Sequence, residues 1–78
     1  MKKVKLEITD AANFCHAAST VNGEVKVVAG KYVVNGKSIL GILSLDLSND
    51  IDVYVENASS ENEENFWNQL SLMGIKTK

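Results

Sequence analysis

Seventy-eight residues, 45% apolar and 23% charged, make one domain near the lower limit at which an apolar core holds without disulfides or a metal, and lie far from a disordered composition. A formal charge of −2 gives no basic footprint for nucleic acid or anionic lipid, and one cysteine, Cys15, excludes an internal disulfide and any zinc-type Cys/His spacing. No apolar run reaches signal-peptide or membrane-span length, so the expectation is a cytoplasmic, reducing setting, with no membrane or nucleic-acid partner and no cofactor.

Val4, Leu6 and Ile8 alternate with Lys3, Lys5 and Glu7, the period-2 signature of a strand with one buried face. Thr9 or Asp10 then offers an N-cap to the alanine-rich run Ala11 to Val21, where Phe14, Ala17, Ala18 and Val21 recur at helical spacing and predict about three turns. Asn22-Gly23 closes that helix with residues that tolerate left-handed backbone. Val25, Val27 and Val28 predict a second strand, turned through Ala29-Gly30-Lys31 into Tyr32-Val33-Val34. After Asn35-Gly36-Lys37, Ser38 is placed to cap a short helix holding Ile39, Leu40, Ile42, Leu43 and Leu45, with Leu47 in the following loop. Ile51 leads into an alternating strand, Asp52 to Glu56. Ser60 and Glu63 have capping-box spacing, and Phe66, Leu70 and Met73 form the apolar stripe of a last helix that Gly74 ends.

The expected order is βαββαβα over one domain, residues 1–78. Each strand face and helix stripe needs an apolar partner, so the fold class is α+β: an open-faced sandwich with a four-stranded antiparallel sheet and three helices on one face. The chain contains no proline, no repeat and no low-complexity segment.

The stretch Val34-Asn35-Gly36-Lys37-Ser38-Ile39-Leu40-Gly41-Ile42-Leu43-Ser44-Leu45 closely resembles the regulatory-serine segment of HPr phosphocarriers of the bacterial sugar phosphotransferase system, V-N-x-K-S-I-M-G-V-M-S-L. From about Ala11 to Val55 that family's pattern lies over the chain without a gap. The departure is at the front, where the family carries a histidine followed by Ala-Arg-Pro between its first strand and first helix. Here the overlay runs the strand almost directly into the helix at Asp10. Uncharged Thr9, His16 and Ser19 fall where family members carry basic residues that dock acidic partners.

His16 is the only histidine and is either a displaced phospho-acceptor or a plain, partly exposed helical residue. Setting Cys15-His16-Ala17-Ala18 over the family's histidine motif shortens the first helix to roughly five residues, too few for a stable amphipathic helix. The free amides and positive dipole end that stabilise a phosphohistidine also exist only in a first turn. Cys15 beside it does not form a dyad, because adjacent helical residues point about 100° apart. Ser59, Ser60 and the sequon Asn57-Ala58-Ser59 read as caps and turn residues.

Ser38 reads first as an N-cap, and the resemblance adds a regulatory phosphorylation site. Phosphate at a helix start meets free amides. Ile39, Leu40 and Leu43 crowd a helix too short to bury all three. Core packing would take Leu43 and one other, whereas an exposed Ile39 or Leu40 marks a partner-binding surface, as the resemblance implies. The resulting expectation is a regulatory or protein-binding variant, not an enzyme, whose partners are phosphotransferase-system proteins or a serine kinase. The alternatives are a working phosphocarrier charged on His16 by enzyme I, and recruitment of the fold to an unrelated interaction role.

Overall fold

In the computed structural model, which describes residues 1–78, the alternation at the start places Val4 in the core while Lys3 points away, and β1 (Lys2–Lys5) results. β1 pairs antiparallel with β4 (Ile51–Glu56), Val4 opposite Ile51. β4 pairs on its other side with β2 (Glu24–Ala29), Val27 opposite Val53. β2 turns through Gly30, at φ +60, into β3 (Tyr32–Asn35). α1 (Ala11–Ser19), α2 (Ile39–Leu43) and α3 (Ser60–Leu72) cover the face to which Val4, Val27 and Val53 point. Between the layers Phe14 of α1 meets Phe66 of α3 edge to face at 5.9 Å, joined by Ile42 and Leu70, all fully buried. Each such side chain contributes roughly 1.5–3 kcal/mol on burial.

The sheet has five strands, not four, in the order β3-β2-β4-β1-β5. The fifth, β5 (Lys76–Thr77), lies on the outer edge of β1 with Thr77 opposite Val4. Its two residues are too few for an alternation to show in the sequence. They are delivered there by Gly74, whose φ of +78 reverses the chain, and by Ile75, which plugs the core at 3% exposure.

Other boundaries also move. The alternating pattern runs to Ile8, but the strand ends at Lys5 and Ile8 is 67% exposed. The Asp10 carboxylate accepts the Glu7 amide at 3.0 Å and winds Ile8–Asp10 into a 3-10 turn continuous with α1. Leu6 alone continues the buried face. α1 stops at Ser19, and Asn22-Gly23 adopts no left-handed conformation; that conformation belongs to Gly30, Asn57 and Gly74. Gly23 is instead required by close approach, since a Cβ there would overlap the Glu56 carbonyl. At α3 the cap is Ser59, not Ser60. Its Oγ accepts the Asn62 amide at 3.1 Å, and Glu63 accepts from Trp67 Nε1 at 3.0 Å, so the expected capping box does not form.

Candidate functional site

The segment from Asn35 to Ser38 is locked by short local bonds. Gly36 donates its amide to the Val25 carbonyl at 2.7 Å, extending the β2–β3 ladder, and a Cβ at Gly36 would come within 2.5 Å of Val25 Cγ1. The Asn35 side-chain oxygen accepts the Lys37 amide at 2.9 Å, and the Asn35 carbonyl accepts the Ser38 amide at 3.0 Å. Lys37 folds back so that Nζ donates to the carbonyls of Val21 at 2.8 Å and Gly23 at 2.9 Å. An ammonium thus ties the start of α2 to the chain leaving α1.

Ser38 then has extended backbone, φ −101 and ψ 114, and its Oγ accepts the Gly41 amide at 3.2 Å. This is the expected N-cap. α2 is only five residues long and can turn one residue fully inward, which is Ile42. Gly41 lies against Val34 of β3, where a Cβ would meet the valine side chain at 3.2 Å. Leu40 is left 77% exposed, Leu43 44% and Ile39 38%. None of Ile39, Leu40 and Leu43 enters the core, so the packing alternative for Leu43 does not hold.

At the other candidate position, only Leu6 and Glu7 separate β1 from the 3-10 turn, and no histidine stands between strand and helix. Directly before α1, the Asp10 carboxylate accepts the Glu7 amide. His16 is exposed in the last turn of α1, at the end where backbone carbonyls, not amides, are free. Cys15 beside it is 7% exposed, and burial pushes its thiol up from the ordinary value, away from thiolate. No group of three or more His, Cys, Asp or Glu is placed to hold a metal ion. No helix is long and apolar enough to cross a membrane.

A family model described as "PTS HPr component phosphorylation site" matches residues 2–74. The chain belongs to the HPr family. Comparison with curated proteins and with solved structures gave no match. HPr proteins are phosphocarriers rather than catalysts. In this HPr-family domain the starts of α1 and α2 differ in kind. The start of α2 presents a serine hydroxyl beside three exposed apolar side chains, whereas the start of α1 presents the Asp10 carboxylate. His16 is at neither helix start. Lys37 escaped the sequence reading although it lies inside the matched motif. Its signal was its position directly before the cap, but a lysine in a turn looks like a solvated charge until its carbonyl partners 14 and 16 residues away are known.

Proposed function

We propose that the protein is a regulatory or protein-binding member of the HPr family that does not carry phosphohistidine, with α2 as its recognition face and Ser38 as a site of regulatory phosphorylation. The observation that carries this reading is the exposure of Leu40, Leu43 and Ile39 on a helix whose first amides are organised by Ser38. Exposed apolar side chains on a rigid, strapped helix resemble binding hot spots rather than core that failed to bury. The partners it fits are phosphotransferase-system proteins and a serine kinase. A phosphoryl group on Ser38 would add a charge of about −2 next to that patch without unfolding it, because free amides and the dipole end favour the anion.

The absence of a carrier role rests on the first turn of α1. An imidazole accepts and holds a phosphoryl group where several free N–H groups converge. Here the Asp10 carboxylate, directly before α1, places negative charge beside those groups, and His16 lies near the opposite dipole end.

The test is capture on immobilised protein from a lysate of a phosphotransferase-containing bacterium, comparing the wild type with Leu40→Ala and Ser38→Asp. The reading expects phosphotransferase-system proteins among those captured and their loss with both variants, each of which should remain folded. Capture that is unchanged in both variants moves the recognition face elsewhere.

A further inference from the structure

The two edges of the sheet are closed differently. β5 is two residues long, begins with Lys76 and is followed by Lys78, a short edge guarded by charge. β3 offers four residues, Tyr32 to Asn35, with no charge or proline, in unbroken register with β2. No charge, proline or bulge interrupts that edge.

Which backbone groups are open follows from the ladder. Gly36 donates to Val25, so in the alternating antiparallel pattern Tyr32, Val34 and Gly36 direct their amides and carbonyls at β2. Val33 and Asn35 direct theirs away from the sheet. The Asn35 carbonyl is taken by the Ser38 amide, which leaves the Val33 N–H, the Val33 carbonyl and the Asn35 N–H open. The side chains beside them are apolar and exposed, Tyr32 at 72% and Val33 at 62%, one on each face of the strand.

We infer that β3 pairs antiparallel with β3 of a second copy of this chain, joining two five-stranded sheets across a two-fold axis. Placing Val33 opposite its own copy sets Tyr32 opposite Val34 and Lys31 opposite Asn35. The two Val33 residues exchange N–H to carbonyl bonds, and no like charges face each other. The next cation, Lys37, is folded back onto Val21 and Gly23, away from the edge. A segment that, paired with itself, sets apolar side chains opposite one another and opposes no like charges meets the requirement of an isologous interface. The inference does not depend on the role of α2.

Sedimentation velocity of the intact protein over rising concentration, combined with amide exchange, tests it. The wild type should dimerise with concentration, and the Val33 and Asn35 amides should gain protection in step. Val33→Lys sets two ammonium groups opposite each other and should weaken dimerisation at least about tenfold, with unfolding of the dilute monomer unchanged. Val33→Pro removes an outward N–H without breaking a bond to β2 and should act alike, should the lysine variant not fold. A wild type monomeric into the millimolar range, or undiminished dimerisation in either folded variant, overturns the inference. So does protection of Val33 and Asn35 only when another protein is added, which would assign the edge to a foreign strand.

Discussion

Ser38 accepts the Gly41 amide and stands beside the most exposed leucine of α2, so the cap and the proposed recognition role share one hydroxyl. The two roles separate by substitution. Ser38→Ala removes the acceptor and leaves an amide unpaired, and should cost about 0.5–2 kcal/mol in denaturant unfolding. Ser38→Asp restores an acceptor and adds a charge that the dipole end favours, so it should lose much less. Equal losses in the two variants would refute the capping account. The cap was legible in the sequence because a serine directly before an apolar run has few other uses. The strap made by Lys37 was not, because its partners are carbonyls brought close only by the tertiary fold.

At the scale of elements, the helices were legible where an apolar stripe repeats and less so at their ends. Phe66 and Leu70 mark the buried face of α3 as expected, yet adjacent serines left its start ambiguous by one residue. Geometry resolves this in favour of Ser59, whose Oγ holds the Asn62 amide, while Asn62 itself reaches the Asn22 amide at 2.8 Å and the Thr20 carbonyl at 3.1 Å. Thermal unfolding should therefore show Ser59→Ala destabilised by about 0.5–2 kcal/mol and Ser60→Ala by only a few tenths. The opposite order would return the cap to Ser60. Gly23 teaches the same lesson: a glycine after a helix reads as a left-handed C-cap, but the Glu56 carbonyl beside it, 33 residues away in sequence, is what excludes a side chain.

For the whole molecule, the antiparallel sheet under three helices follows from alternating strands and amphipathic helices, whereas β5 depends on contacts that no local pattern encodes. Its outer end is held by Lys78, whose amide donates to the Lys3 carbonyl at 2.7 Å and whose ammonium pairs with Asp50 at 2.7 Å. The hydrogen bond from Lys78 holds the Asp50 carboxyl below its ordinary 3.8, and Ser48 does the same for Asp46. A depressed carboxyl stabilises the fold above its unfolded value and loses that contribution as pH falls through its folded one. Stability should thus decline as pH drops from about 5 through 3.8 and below. Asp50→Asn should flatten part of that decline and lower stability slightly at neutral pH. An unchanged acid profile in Asp50→Asn would show that the pair does not tether β5.

The architecture places Ser38 as the cap of α2 and a bonded carboxylate, with no histidine, at the start of α1. Incubation with purified enzyme I and labelled phosphoenolpyruvate measures the consequence most directly. The account predicts that the protein stays unlabelled while a conventional HPr in the same tube is charged. Acid-labile label on this chain that disappears in His16→Ala would contradict it and make the protein a working phosphocarrier.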